Sequence, residues 1–141
     1  MSATPLQRQR YAGERLGLPA AGPGGVGSWP RRIVALCIDW FSSWAVAAFL
    51  VAAFGLGHAW ATRLPLLVFW LESSFGTAVA AGSFGQLAVR LAVRRLDGRS
   101  LDPFGALLRG LLICLVIPAV IWNRDHRGLH DLAVRTVVVN R

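Results

Sequence analysis

IVALCIDWFSSWAVAAFLVAAF runs from Ile33 to Phe54. Every residue in it is apolar or small except Asp39. At about 1.5 Å rise per residue, a helix of this length crosses a hydrocarbon core about 30 Å thick. The run is therefore expected to be a membrane helix with a carboxylate roughly 9–10 Å inside its apolar boundary. An ionised group at that depth costs on the order of 3 kcal/mol unless it is paired or hydrated. Pro30-Arg31-Arg32 precedes the run, and Trp29 and Trp60 flank it where interfacial aromatics sit.

Two further apolar stretches follow, Leu64–Phe84 and Phe104–Trp122, in a chain of 141 residues that is 55% hydrophobic. Such a chain leaves little outside a bilayer, so a separate soluble catalytic domain is not expected. The expected fold class is an all-α membrane protein. It is a small polytopic bundle with two full transmembrane helices, a third apolar segment that spans or is re-entrant, and a short cytoplasmic C-terminal tail. Residues 1–29 carry Arg8, Arg10, Arg15 and the tract Leu18-Pro19-Ala20-Ala21-Gly22-Pro23-Gly24-Gly25. A tract of that composition buries too little to offset its ordering entropy, so residues 1–29 are expected to be a disordered basic tail and 30–141 the membrane domain. The charged region is long and the apolar run exceeds an h-region, which argues for an uncleaved anchor.

The net charge is +8, and all 15 basic residues are Arg. Composition of that kind fits a GC-rich bacterial genome. Because the arginines cluster beside apolar runs, anionic lipid headgroups are the expected partner and nucleic acid is not. Arg31 and Arg32 put the N-terminus in the cytoplasm by the positive-inside rule, and Arg90, Arg94, Arg95 and Arg99 put the Gly85–Pro103 segment there too. That segment reads as an interfacial helix passing into a short hairpin at Asp97-Gly98. One full crossing of the third run would carry Arg124, Arg127, Arg135 and Arg141 outside. A break near Pro118 would return them to the cytoplasm. The β-prone run Thr136–Val139 needs a strand partner, and Leu91–Leu96 is the candidate on the cytoplasmic side.

In the second run, Gly76, Ala78, Ala80, Ala81 and Gly82 lie among Ser73, Ser74 and Thr77. Small residues let helices approach, so this face is expected to pack on Ser42, Ser43, Ala45 and Ala48. Asp39 and Arg109 lie at similar depths from the same side and are expected to meet across helices. Arg32 is free to snorkel to the headgroups. Glu72 lies deeper, with no basic residue level with it. The intramembrane charges Arg32, Asp39, Glu72 and Arg109 thus read either as a packing clasp or as stations for a proton or cation. His130 and Asp131 read as a cytoplasmic latch docking on arginines of the surface. His126 and His130 would share a helical face, but no third ligand has fixed spacing, so no metal site is expected. Cys37 and Cys114 read as buried, inert thiols. No nucleophile–base pair or phosphate loop is present, so no catalytic residue, cofactor or enzyme activity is expected.

The ordered pieces resemble the RDD family of small bacterial membrane proteins, named for one Arg and two Asp. Arg32 and Asp39 stand within RRIVALCID, and GQLAVRLAVRRLDG runs from Gly85 to Gly98. Leu108-Arg109 follows in the third run, then Gly128-Leu129-His130-Asp131 and Thr136-Val137-Val138-Val139. The resemblance covers about residues 30 to 140. Two positions depart from it: Gln86 stands where many members have Lys, and Arg90 where many have Gly. The resemblance implies a multi-pass protein of the bacterial inner membrane. Transport of a small solute or ion as a homo-oligomer is the first expectation. The alternative is a non-catalytic accessory or scaffold subunit that binds a membrane partner protein.

Overall fold

The computed structural model of the chain describes residues 9–115 and 123–141. Helix α1 spans Trp29–Phe54, with Pro30 in its first turn, where a missing N–H costs nothing. It stops at Gly55, whose left-handed φ of 61° returns the cap N–H to Val51 O. Only Gly55–Gly57 separates it from α2, His58–Ala80. The second helix therefore starts six residues before Leu64, and Phe84 is not part of it. Ala81 ends α2 in the left-handed region at φ 57°, and Gly82 N–H donates to Gly76 O at 3.3 Å.

A short helix α3 (Phe84–Ala88) leads into strand β1, Leu91–Arg95. Helix α4 (Pro103–Cys114) begins at Asp102, whose carboxylate accepts from Gly105 N–H. Helix α5 (Leu129–Ala133) precedes strand β2, Thr136–Asn140. The strands pair antiparallel, with Leu91 opposite Asn140 and Arg95 opposite Thr136. The fold is thus not all-α, and the expected hairpin at Asp97-Gly98 does not form. That turn closes locally through Gly98 N–H to Arg95 O, while β1 takes its partner from the far end of the chain. The pairing of Thr136–Val139 with the Leu91–Leu96 segment is as the sequence suggested.

Both faces of the sheet are covered. Leu91, Val93 and Val138 pack on one side. Ala92, Val137 and Val139 pack on the other, beneath Leu16, Leu18 and Val26. Double-sided burial explains an unbroken Val137–Val139 run where a one-sided strand would alternate. The tract before α1 is therefore docked from residue 9 onward. Val26 bridges Val139, Gly24 N–H donates to Asn140 O, and Gly27 N–H donates to Val138 O. Its glycines bring main chain against the free edge of β2, and that pairing supplies what the tract's composition cannot.

Helices α1 and α2 pack antiparallel, α2 packs on α4, and the sheet sits where α1 begins and α2 ends. Arg31 Nη1 donates to Asn140 Oδ1 at 2.9 Å, and Val93 N–H donates to Ala81 O. The C-terminal strand and the residues before α1 therefore share one end of the bundle. At about 18 Å, α4 is too short to cross a bilayer alone. Pro118, where a break was expected, lies outside the described residues, as does Trp122.

Candidate functional site

The inward face of α1 is the stripe Ala35, Asp39, Ser43 and Ala47, four residues apart each time and all buried. Ala45 and Ala48, expected in the contact, face outward instead. The opposing stripe of α2 is Phe69, Ser73, Ser74 and Thr77. Gly110 brings α4 close to α2, because a Cβ there would stand 2.5 Å from Ser74 Oγ. Trp70 Nε1 donates to Leu107 O at 3.0 Å across the same contact.

Asp39 does not pair with Arg109. Its Oδ2 accepts the Ser83 hydroxyl at 2.5 Å, and its Oδ1 accepts Gly85 N–H. Glu72 Oε1 accepts Phe84 N–H at 2.5 Å. Two carboxylates from two helices thus hold the start of α3. Ser83 and Gln86 complete the turn as a capping box, each side chain bonded to the other's backbone N–H. Gly85 is required here: a Cβ would lie 2.0 Å from Ala35 O. Spacing along a helix does not fix rotation about its axis, and the rotation of α1 points Asp39 at α3.

Arg109, 2% exposed, turns to α5. Its Nε donates to Asp131 Oδ1 at 3.0 Å. Asp131, with no exposed surface, also accepts the Thr136 hydroxyl at 3.2 Å. Its Oδ2 lies 3.4 Å from His130 Nε2 and 3.9 Å from Arg32 Nη1. Burial alone would push the Asp131 carboxyl up. The charges of Arg109, His130 and Arg32, with the Arg109 hydrogen bond, outweigh it and hold the group below the usual carboxylate range.

Arg32 does not snorkel. Its guanidinium donates to Gly27 O, His126 O and Val138 O at 3.1, 2.6 and 3.2 Å and lies 5.6 Å from the Trp29 ring centre. It clasps the docked tract, the loop before α5 and β2 at once. His126 lies in that loop with φ 55°, outside α5, so it does not share a helical face with His130.

Arg32, Asp39, Arg109 and His130 line one cavity of about 110 Å³, with Ser73 and Ser83 in its wall. Glu72 lines a different space, a groove of about 430 Å³ between α1, α2 and α3. That groove is open to the outside, since Val46, Phe75 and Phe84 on its walls are 48%, 70% and 56% exposed. Glu72 Oε2 and Ser43 Oγ have no hydrogen-bond partner among the described residues.

Three parts of the polar network were not expected from the sequence. Ser83 with Gln86 three residues on was a readable capping signal. Asp125, which accepts from Gly13 N–H at 3.2 Å and from the Gln9 amide, had no local signal, nor did Arg127, whose Nε donates to Thr136 O at 2.8 Å.

The RDD family profile matches residues 26–135. The chain belongs to the RDD family. The match begins at Val26, where the docked tract meets β2, and takes in Arg32, Asp39, Arg109 and Asp131. No curated protein and no solved structure matches the chain. Among the described residues one helix, α1, is long and apolar enough to cross a membrane by length and composition. Its 18-residue window has mean hydropathy 1.9, yet only 22% of that window is buried inside the fold. Phe41 and Phe49 are each 70% exposed, which suits lipid and not water. Family and helix together make this RDD chain a membrane protein.

Proposed function

We propose that this RDD chain is a non-catalytic helical membrane module that binds another membrane protein along the Glu72 groove. The observation that carries this is the Glu72 carboxylate, half-used by Phe84 N–H and otherwise without a donor among the described residues, in an apolar groove on the outside of the bundle. An acceptor left so in lipid costs free energy until a partner supplies a donor. Arg109 is bound to Asp131 and Arg32 to three carbonyls, so neither of these two buried arginines is free to serve Glu72 of a second copy. The partner is a different membrane helix with an Arg, Lys or amide side chain.

In this reading α1 and α2 both cross the bacterial inner membrane. The second helix, about 34 Å long, has the length, though His58, Arg63 and Glu72 lower its hydropathy. The sheet end lies in the cytoplasm, because Arg31, Arg90, Arg94, Arg95, Arg124, Arg135 and Arg141 gather there. Both termini are then cytoplasmic. Photo-crosslinking from positions 46 and 75 in native membranes tests the partner. One discrete adduct, lost in Glu72→Gln while the protein stays monodisperse, is expected; an adduct pattern unchanged by Glu72→Gln overturns the reading.

A second reading, passage of a small solute or ion by a homo-oligomer, is favoured by the cavity that Arg32, Asp39, Arg109 and His130 share. Cation and proton flux in proteoliposomes above that of empty vesicles would support it.

A further inference from the structure

A groove of about 380 Å³ lies at the sheet end of α1, between its first turns and the end of α3. Its walls are Pro30, Val34, Ala88 and Val89, and its two polar members are Arg31 and Arg90. No acidic side chain lines it. Arg31 uses one donor on Asn140 Oδ1, which fixes the guanidinium beside the groove and leaves most of its five donors over. The Arg90 side chain has no hydrogen bond or ion pair among the described residues.

The backbone at Arg90 is unusual. Its φ is 56°, in the left-handed region, where a residue with a Cβ is disfavoured and glycine is at ease. The turn from α3 into β1 thus carries a long basic side chain at a position where a glycine would suit the backbone better. From the groove, Val34, Ile38, Phe41 and Ala45 continue along one outward face of α1 at helical spacing. Val34 is 49% and Phe41 70% exposed. Two arginines at one end of an apolar track match a phosphate joined to acyl chains.

We propose that this groove seats one anionic phospholipid, its phosphate between the Arg31 and Arg90 guanidinium groups and its chains along Val34 and Phe41. A soluble phosphate would need the arginines and not the apolar wall; the wall is what selects a lipid. The proposal rests on the reading that α1 lies in a bilayer with Arg31 at headgroup level.

The test is native mass spectrometry of the full chain purified in detergent and offered phosphatidylglycerol or phosphatidylcholine. Wild type is expected to retain phosphatidylglycerol preferentially. Arg31→Gln and Arg90→Gly are each expected to weaken that retention by about fivefold, the worth of one basic residue at a lipid surface. Arg99→Gln, an equal charge change in the exposed turn at the same end, is expected to leave it unchanged. Arg90→Gly relieves the left-handed backbone, so its loss of lipid cannot come from a damaged fold. Equal retention of the two lipids, an Arg99→Gln loss as large as that of Arg90→Gly, or displacement by millimolar glycerol phosphate each overturns the proposal. Detergent phase partitioning separates the two levels. A chain that stays in the aqueous phase refutes the bilayer reading as well, whereas a chain in the detergent phase with equal lipid retention refutes the groove alone.

Discussion

Replacing Asp131 by Asn removes the carboxylate that pairs with Arg109 and lies within 4 Å of His130 and Arg32. Two unit charges about 4 Å apart interact by about 4 kcal/mol at the effective dielectric of a partly screened site. Arg109 is the main loser, since Arg32 keeps its three carbonyl acceptors. Asparagine still accepts one bond from Arg109 or Thr136, so the expected cost is the lower part of the range of about 3–5 kcal/mol for breaking a buried pair. For a chain of this size that lowers the melting temperature by about 10 °C. The assay is thermal unfolding of detergent-solubilised protein followed by tryptophan fluorescence and size exclusion. Arg109→Met combined with Asp131→Asn should cost less than the sum of the two single changes, by about 2 kcal/mol. A melting shift under about 3 °C for Asp131→Asn, or strict additivity of the pair, would show that the Arg109–Asp131 pair does not hold α4 to α5.

Acid should unfold the protein through the same residue. Asp131 binds its proton more weakly folded than unfolded, so its stabilisation is present above the unfolded carboxylate pKa and lost as pH falls through the lower folded value. Melting temperature measured downward from pH 6 should drop more steeply in wild type than in Asp131→Asn. Gly85→Ala places a Cβ 2.0 Å from Ala35 O and should abolish monodisperse protein on size exclusion, since backbone on both sides must move. Gly110→Ala meets the Ser74 hydroxyl and Trp70 instead and should cost about 1–3 kcal/mol by thermal unfolding. Arg90→Gly should raise stability by up to about 1 kcal/mol in the same assay, because it relieves the left-handed φ of 56°.

What the sequence made legible follows from which interactions are local. The Ile33–Phe54 run announces a helix whatever faces it, because lipid accepts apolar side chains all round. The Val-rich end and the Leu91–Arg95 segment found each other because each lacked any other strand partner. Asp39 and Arg109 line one cavity but bond to other partners than each other. Rotation about a helix axis depends on what packs there, and neither α3 nor α5 was readable as a helix of five residues. The start of α3 was nonetheless written in Ser83 and Gln86, and that signal would have given Asp39 its partner. Residues 9–28 looked too poor in apolar area to fold alone. Their order comes from the free edge of β2, an interaction about 110 residues away in the chain that no local pattern carries.

The central claim is that the carboxylates among these helices hold the bundle together. Asp39→Asn, reconstituted beside wild type, tests it most directly, with folded yield by size exclusion and ion flux read on the same preparations. A sharp fall in monodisperse protein is expected, with any flux unchanged per folded molecule. A full yield of folded Asp39→Asn protein in which a wild-type flux has vanished would contradict it.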